Sequence, residues 1–435
     1  MSFGTDGVRG VANKGLLPED AFDLGLAAAS VFGGKVVVGR DTRRSGGMLS
    51  SALVAGLASG GATAFDLGTL PTPGVAMLSP KLEASAAVVI SASHNPFPDN
   101  GIKFLSGEGR KLPDSEEREL EKLASNPSLD RATGAGIGSV ERLDDAAKMY
   151  AESLLERLRP DAEGMNILLD CANGAAFESA PLAFEKLGAK LSVVGAEPDG
   201  VNINAGCGST HVERLDISGH DVAFAFDGDA DRVLAVDEKG NVVDGDKIIA
   251  ILARDLAGRG MLSKGVVVTV MSNFGFFKAM DSLGIPCEVT PVGDRHVAGA
   301  MRRTGATVGG EQSGHVILSE HVTTGDGLMT ALALLDVMVR SGKPLSELAK
   351  VMEKYPQKLI NVKVEGPRSA KEIAASKRLA EAVAKAEAKL GAEGRILLRP
   401  SGTEPLVRVM VEHEDEKTCH ETCEEVADVV AKTKV

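Results

Sequence analysis

The run Ala86-Ala-Val-Val-Ile90, followed directly by Ser91-Ala-Ser-His-Asn-Pro96, decides the fold class and locates its chemistry. The apolar run predicts a buried strand, and the six residues after it place two hydroxyls, an imidazole and an amide where that strand ends. Ligands of open α/β sheets bind at the carboxyl ends of strands. Taken alone, the hexapeptide is more simply explained as a polar turn ended by Pro96.

The same order, an apolar run and then a polar cluster, occurs three more times. The other clusters are Asp227-Gly-Asp-Ala-Asp-Arg232 after Val222–Phe226, Gly309–His315 after Ala306–Val308, and Arg399–Glu404 after Ile396–Leu398. Together the four loops supply a hydroxyl, three carboxylates, a Glu/Ser/His set and a group of residues suited to phosphate. Their joint occurrence is far more specific than any one of them.

Length and composition bound the class of protein. A chain of 435 residues suggests about three domains, and 43% apolar with 25% charged residues is typical of a globular protein. The formal charge of −13, the absence of Trp and the presence of only two Tyr argue against binding to nucleic acid or to an anionic membrane. An anionic substrate would therefore need cationic side chains concentrated in one cleft.

The lack of targeting signals in this sequence and the pattern of its cysteines favour a cytoplasmic protein. We find no apolar stretch of about 20 residues and no basic-then-apolar N-terminus, so neither a membrane span nor a secretory signal is expected. The five cysteines are odd in number and have no CxxC spacing, which favours reduced thiols. Cys419 and Cys423 lie four apart on a predicted helix and should share one face.

The order of elements predicts an α/β fold with three similar mixed α/β domains and a smaller C-terminal α+β domain. Strands alternate with helices to about residue 146, which favours a largely parallel sheet covered on both faces. Two further units repeat the pattern, and the last stretch differs from them. The predicted domains are residues 1–146, 147–244, 245–355 and 356–435.

Asp227, Asp229 and Asp231 predict a metal site. Carboxylates at i, i+2 and i+4 fall on one side of an extended segment, and three hard oxygen donors suit Mg²⁺. An EF-hand is rejected, because Arg232 stands at the sixth position where Gly is required and the residues after it read as a strand. A solvated acidic turn remains the alternative.

Arg399-Pro-Ser-Gly-Thr-Glu404 predicts a phosphate site. It offers a guanidinium, two hydroxyls and backbone N–H groups that Gly402 leaves accessible, and Arg408 could add a second guanidinium. The pattern of a nucleotide-binding P-loop is missing from it. Taken alone, a plain turn between strands is about equally good as an explanation.

Glu311, Ser313 and His315 alternate along their loop, so all three could point the same way toward a polyol, and His315 could act as acid or base. Other charged residues occupy further loops, and each could simply be a turn with surface charges. They are Thr5, Asp6 and Arg9 near the start, Gly39–Arg43 after another strand, and Arg295 with His296.

These loops resemble those of the α-D-phosphohexomutases, and within that superfamily the phosphoglucosamine mutases. The finer similarity lies in Phe3–Gly10, Asp99–Phe104, Asn202–Asn204, Cys207–His211, Gln312 and Thr323–Leu328. The resemblance runs from residue 3 to about residue 411. His296 departs from it, because a Tyr is expected there.

The resemblance implies four domains around a central cleft and a residue role for each loop. Ser93 is the implied phosphorylated nucleophile, with Ser91 as the weaker candidate. The implied metal ligands are Asp227, Asp229, Asp231 and the phosphoserine. The implied catalytic residues are Arg9, His94, Lys103 and Arg232, with Lys103 as general acid/base if neighbouring cations lower its pKa. The implied substrate-binding residues are Thr5, Arg295, Glu311, Ser313, His315, Arg399, Ser401, Gly402, Thr403 and Arg408.

The implied reaction interconverts glucosamine 6-phosphate and glucosamine 1-phosphate through a 1,6-bisphosphate, feeding amino-sugar nucleotide and cell-wall precursor synthesis. One Mg²⁺ per chain and glucosamine or glucose 1,6-bisphosphate as activator are implied with it, and a homodimer is left open. A phosphoglucomutase or phosphomannomutase is the alternative. A non-catalytic sugar-phosphate-binding protein is disfavoured because Ser93 and the three aspartates are all retained, and a serine hydrolase because no Gly-x-Ser-x-Gly motif occurs.

Overall fold

A computed structural model describes residues 7–126, 128–364, 367–401 and 404–433, without the side chains of residues 367 and 368. The chain divides into two compact units. The first extends to Met271 and includes Ile285–Val351, and the second comprises Ser272–Gly284 and the chain from Met352 onward. Thr5, Gly402 and Thr403, which the sequence assigns to substrate binding, lie outside the described residues.

The first unit begins with a mixed six-stranded sheet. Its strands are β1 (Val8–Val11), β2 (Lys35–Arg40), β3 (Thr63–Thr69), β4 (Ala86–Ile90), β5 (Asp99–Ser106) and β6 (Val140–Arg142), and its helices are α1 (Pro18–Phe32), α2 (Arg44–Ser59), α3 (Thr72–Lys81), α4 (Asp114–Ala124) and α5 (Ala146–Arg157). The spatial order is β1-β5-β4-β2-β3-β6. Pairing is parallel from β4 to β6, whereas β5 and β1 add an antiparallel edge. All five residues of β4 are buried, as its apolar run predicts.

The second sheet has five strands in the order β11-β10-β9-β7-β8. They are β7 (Asn166–Asp170), β8 (Lys190–Val194), β9 (Val222–Phe226), β10 (Val233–Asp237) and β11 (Val242–Val243), with α6 (Ala176–Phe184) after β7. The central strands β7 and β9 are parallel, and β9 is buried throughout. The loop after β9 therefore leaves the carboxyl end of a central strand, where α/β sheets bind ligands.

The third sheet has four strands in the order β13-β12-β14-β15. They are β12 (Val266–Thr269), β13 (Cys287–Thr290), β14 (Val308–Gly310) and β15 (Val316–Leu318), with helices α7 (Gly245–Gly258), α9 (Asp294–Thr304), α10 (Gly327–Ser341) and α11 (Leu345–Leu348). The helix α8 (Phe274–Ser282) follows β12 in sequence but belongs to the second compact unit. β14 and β15 form an antiparallel hairpin, and the loop Glu311–His315 is its turn.

The second unit contains a three-stranded antiparallel sheet in the order β16-β18-β17. Its further elements are β16 (Gln357–Lys363), α12 (Pro367–Ala374), α13 (Lys377–Leu390), β17 (Gly394–Pro400), β18 (Leu406–His413) and α14 (Glu416–Lys432). The core includes alternate residues of β18 and one face of α14, where Cys419 and Cys423 are both buried. The shared face that their four-residue spacing predicts is therefore confirmed. Of the helices in the described residues, none has the length and apolarity needed to cross a membrane.

Candidate active site

The loop after β4 meets the loop after β9, although the two strands belong to different sheets. The Ser93 hydroxyl donates a hydrogen bond to Asp227 Oδ2 over 2.6 Å. Ser93 is 2% exposed and Asp227 is fully buried. The two clusters that the sequence selects as nucleophile loop and metal loop are thus in direct contact.

The metal loop converges through a turn rather than through an extended segment. Ala230 has a left-handed backbone conformation with φ of 55°, and its N–H donates to the Asp227 carbonyl over 3.0 Å. This turn brings one ligand atom from each of Asp227, Asp229 and Asp231 within 4.8 Å of the others. The predicted convergence is correct, and the extended geometry predicted for it is wrong.

Two helix N-termini support the metal loop from its backbone side. Thr72, the first residue of α3, donates its N–H to the Asp229 carbonyl over 3.0 Å and its hydroxyl to Asp229 Oδ2 over 2.7 Å. Gly327, the first residue of α10, donates its N–H to the Ala230 carbonyl over 3.0 Å. Because helix N-termini carry partial positive charge, they favour an acidic loop at this position.

The chemistry of the carboxylate cluster fits a divalent cation. Burial, followed by the mutual repulsion of the aspartates, raises the pKa of Asp227 well above its usual range and also raises the pKa of Asp231. Asp231 Oδ1 is buried and has no hydrogen-bond partner among the described residues. A cation would relieve the repulsion and satisfy this oxygen, and a set of oxygen donors is what Mg²⁺ prefers.

Three cationic residues assigned by the sequence lie around this cluster. Lys103, on β5, places Nζ 3.2 Å from Asp229 Oδ2 and is 8% exposed. Arg232 donates from a terminal guanidinium nitrogen to His94 Nδ1 over 3.0 Å, and its charge, like that of Arg9 on β1, acts on the same ring. Lys103 thus lies against a carboxylate, whereas its predicted role as general acid/base depended on neighbouring cations that lower its pKa.

His94 is held as a neutral imidazole. Partial burial, together with the nearby charges of Arg232 and Arg9, lowers the pKa of His94 from 6.5 to about 4. Its Nδ1 lies 3.4 Å from the Ser93 hydroxyl oxygen. At pH 7 the ring is therefore uncharged, and it accepts the hydrogen bond from Arg232.

The Glu311–His315 loop does not direct its three polar side chains the same way. It is a tight turn, closed by a hydrogen bond from the Glu311 N–H to the His315 carbonyl over 2.9 Å. Ser313 is exposed, Glu311 accepts a hydrogen bond from the Gly293 N–H, and His315 is 2% exposed with Nε2 4.0 Å from Asp231 Oδ2. The shared direction predicted from alternation is therefore wrong, because alternation of faces applies to strands and not to turns.

Arg295 is tied to α4 rather than to the serine loop. Its guanidinium pairs with Asp114 and donates to Glu117 Oε2 over 2.7 Å, since the first turn of α9 faces the acidic first turn of α4. It still lines a cavity of about 210 Å³ that His315 also lines. His296, beside it, is exposed.

In the second unit, two arginines flank the loop that joins β17 and β18. The register of β17 and β18 places Arg399 directly opposite Arg408. The hydroxyl of Ser401 accepts a hydrogen bond from the Glu404 N–H over 3.1 Å, and Arg408 lies 3.3 Å from the Glu404 carboxylate. Like charges directly opposite each other destabilise a sheet, so an anion bound between the two guanidiniums would stabilise it.

Sequence reasoning missed a buried layer beneath the serine loop. Asp41 is 1% and Arg43 is 2% exposed, so the interpretation of Gly39–Arg43 as a turn with surface charges is wrong for both. Asn204, 8% exposed, donates from Nδ2 to the Ser93 carbonyl over 2.9 Å. A polar cluster directly after a buried strand could have identified Asp41 and Arg43, because both follow β2.

Comparisons with known proteins extend over the whole chain. Family models described as phosphoglucomutase/phosphomannomutase match alpha/beta/alpha domain I at residues 1–130, domain II at 148–240, domain III at 244–355 and the C-terminal domain at 359–429. A phosphoglucosamine mutase of Rubrobacter xylanophilus is 68% identical over 432 residues, covering 99% of this chain and 97% of that protein.

Solved structures share the fold. A phosphoglucomutase/phosphomannomutase family protein of Burkholderia thailandensis matches with a TM-score of 0.83 at 24% identity, covering 98% of this chain and 96% of that one. The Aspergillus fumigatus N-acetylphosphoglucosamine mutase in complex with GlcNAc-6P and magnesium matches with a TM-score of 0.72 at 18% identity, covering 99% and 95%. Both predictions of the sequence, a multi-domain α/β enzyme with a small C-terminal domain and a phosphomutase of the isomerase class, are confirmed. The chain belongs to the phosphoglucosamine mutases of the α-D-phosphohexomutase superfamily.

Proposed function

We propose that this chain interconverts glucosamine 6-phosphate and glucosamine 1-phosphate by way of phosphorylated Ser93 and a 1,6-bisphosphate. The observation that carries the proposal is the Ser93 hydroxyl, 2.6 Å from Asp227 Oδ2 and beside a buried cluster of three carboxylates. The choice of glucosamine is supported by the names of relatives such as the 68% identical protein of Rubrobacter xylanophilus.

In the first half of the reaction, the bond from Ser93 Oγ to phosphorus breaks and a bond from a free sugar hydroxyl to the same phosphorus forms. The sugar hydroxyl loses its proton, and Lys103, whose Nζ is buried at the carboxylate cluster, is the residue we propose to relay it. In the second half, the turned bisphosphate returns its other phosphoryl group to Ser93 Oγ. The net change is the position of one phosphoryl group on the sugar.

Charge balance at the transferred group is assigned to the residues around it. Arg232 and Arg9 carry positive charge, while His94 stays neutral and orients the Arg232 guanidinium through Nδ1. Mg²⁺ held by Asp227, Asp229, Asp231 and a phosphoserine oxygen would neutralise the charge that builds on the transferred phosphoryl group. The magnesium in the Aspergillus fumigatus enzyme supports this choice of metal.

The remaining assigned residues would bind the sugar phosphate. Glu311, Ser313 and His315 are proposed to contact sugar hydroxyls, and Thr5 and Arg295 to line the substrate site. Arg399, Ser401, Gly402, Thr403 and Arg408 are proposed to bind a phosphate group of the substrate, which the opposed guanidiniums of Arg399 and Arg408 support. GlcNAc-6P in the Aspergillus fumigatus complex supports a phosphorylated hexosamine as the ligand class.

Several finer expectations remain predictions. They are the activating role of glucosamine or glucose 1,6-bisphosphate, the cytoplasmic location, the homodimer, and the four domains with their three boundaries at 146, 244 and 355. The absence of nucleic acid as a partner is also a prediction.

A ³¹P NMR comparison of glucosamine, glucose and mannose 6-phosphates tests the proposal, with Mg²⁺ and catalytic 1,6-bisphosphate present, alongside Ser93→Ala. We expect a strong preference for glucosamine 6-phosphate and no detectable turnover by the variant. A preference for glucose or mannose would move the substrate and favour the phosphoglucomutase/phosphomannomutase alternative. Turnover by Ser93→Ala would overturn the phosphoserine assignment.

A further inference from the structure

We propose that Arg43 and Asn204 are positioning residues, which hold Ser93 in the backbone conformation from which it donates and receives the phosphoryl group. The inference rests on the proposed function of Ser93. Neither side chain belongs to the set assigned from the sequence, and both lie beneath the serine loop. We call the two residues the loop clamp.

Ser93 has a backbone conformation that needs external support. Its φ is 52°, in the left-handed region that residues other than glycine rarely adopt. Residues held in this region persist where the surroundings over-determine them, and they cluster at functional sites. The Ser91 hydroxyl oxygen accepts from the Ser93 N–H over 2.9 Å, which fixes the donor side of the residue. Its acceptor side is fixed by the loop clamp.

Arg43 binds three carbonyl groups of the loop. Its guanidinium donates to the carbonyls of Ser93 and Asn95, each over 2.8 Å, and to that of Pro96 over 2.6 Å. Its Nε donates to Asp41 Oδ2 over 2.8 Å, and the same oxygen accepts from the Ser91 hydroxyl over 2.5 Å. Both side chains of this ion pair are fully buried. The planar fork of an arginine is needed for this many acceptors at once.

Asn204, in the loop between β8 and β9, binds two of the same carbonyls. Its Nδ2 donates to the carbonyls of Ser93 over 2.9 Å and of Asn95 over 3.3 Å. Gly228, in the metal loop, lets the two loops approach this closely, because a Cβ there would lie 2.6 Å from the Ser93 carbonyl oxygen. The position of the nucleophile is therefore set jointly by residues of two sheets.

The reaction explains why such a clamp would be required. Ser93 Oγ must give up a phosphoryl group and take one back in each cycle, so the same atom has to return to an in-line position twice. Misplacement of a reacting group by about 1 Å can lower a rate about 10²-fold. Since Arg43 and Asn204 are buried, they should affect the transfer steps and leave substrate binding unchanged.

The test compares Asn204→Ala with Asn202→Ala, and Arg43→Lys with Arg44→Lys, in the full-length enzyme. Asn202 is two residues away, its side-chain hydrogen bonds among the described residues stay within its own loop, and Arg44 is the exposed neighbour of Arg43. We expect Asn204→Ala and Arg43→Lys each to lower kcat about 10²-fold, with KM changed less than about twofold. The two control variants should match the wild type in both constants.

Hydrogen–deuterium exchange of residues 91–97 supplies a readout that does not depend on turnover. Exchange should be faster in Asn204→Ala and Arg43→Lys than in their controls, with the remaining chain unchanged. A wild-type level of kcat in both Asn204→Ala and Arg43→Lys would overturn the positioning role. A wild-type kcat in Arg43→Lys alone would overturn the role of Arg43, because a positive charge beside Asp41 would then be sufficient. If the wild type itself shows no turnover, the proposed function fails, and unchanged exchange in both variants would separately overturn the clamp.

Discussion

The serine loop and the phosphate loop both end a strand and both carry charge, yet they are held in opposite ways. Around Ser93, three carbonyls are bound by a buried arginine, and the neighbouring metal loop rests on two helix N-termini. Around Ser401, the described contacts are one hydroxyl bond to the Glu404 N–H, one backbone bond to Leu406 and a partly exposed ion pair.

The difference separates two physical tasks. Groups that react must already be in place, because reorganisation during the reaction would raise its barrier. Groups that bind a phosphate can instead be completed by the ligand, whose oxygens would accept further hydrogen bonds from Arg399 and Arg408. We therefore expect changes in the first region to alter kcat or stability, and changes in the second to alter KM.

The largest effect is expected for Asp227→Asn in the first region. Replacing this carboxylate with an amide removes one negative charge from the metal site and leaves the Ser93 hydroxyl with a weaker, neutral acceptor, so kcat should fall about 10³-fold or more. Steady-state turnover with glucosamine 6-phosphate over a range of Mg²⁺ concentrations measures it, and the Mg²⁺ needed for half-maximal activity should rise. Asp216→Asn, at an exposed aspartate, is the matched control and should leave both values unchanged.

The second prediction concerns the support of the metal loop by α10. Asp326 caps this helix, and its Oδ1 accepts from the Tyr150 hydroxyl over 2.8 Å and from the Met329 N–H over 2.9 Å. Burial raises the pKa of Asp326 from 3.8 to about 6. Ionised Asp326 therefore costs the folded state about 3 kcal/mol. This cost is absent below the unfolded pKa, grows as pH rises from 3.8 to about 6, and is complete above that.

Asp326→Asn should remove this pH dependence, because an amide keeps the acceptor and does not titrate. Urea unfolding from pH 4 to pH 7 should show the variant gaining stability relative to the wild type, by about 3 kcal/mol across that range. Parallel curves for the two proteins would mean that Asp326 does not titrate as described. The result would give the loss of folding free energy that comes from keeping this buried carboxylate in the support of the metal loop.

The smallest effect is expected in the phosphate loop. Arg399→Ala removes one charge-assisted contact, which corresponds to about a tenfold rise in KM with kcat changed by less than about threefold. Steady-state kinetics with glucosamine 6-phosphate measures it, and Arg378→Ala, on an exposed helix of the same unit, is the control. A large fall in kcat at unchanged KM would break the comparison, since both regions would then serve the chemical step.

Much of this site could be predicted because its loops share one sequence pattern, an apolar run followed by a polar cluster. Buried strands such as β4 and β9 end in polar clusters, and the geometry of α/β sheets gathers such clusters. What failed were local backbone and tertiary details. No sequence pattern signals the left-handed Ala230 that folds the metal loop into a turn, and alternation misled at Glu311–His315 because that segment is not extended.

Further contacts of these residues depend on tertiary pairing, which no local sequence pattern shows. Arg295 and the carboxylates of α4 are far apart in sequence, so only the folded chain shows that they pair. From the sequence, Asp41 and Arg43 resemble surface charges, because the loop that covers them lies about fifty residues later in the chain. β5, which carries Lys103, pairs antiparallel with β4. The alternation of strands and helices indicates parallel strands, so it did not predict this one.

The contacts of Ser93 also bear on how the enzyme matures during synthesis. Its partners Asp227 and Asn204 lie more than a hundred residues later in the chain, in loops that connect strands of the second sheet. A nascent chain that has completed only the first sheet carries the serine without its acceptor and without half of its support. On the proposed role of Ser93, competence to carry phosphate would therefore arise late in translation, and a ribosome stalled before the second sheet would leave a domain that contains the serine without these contacts.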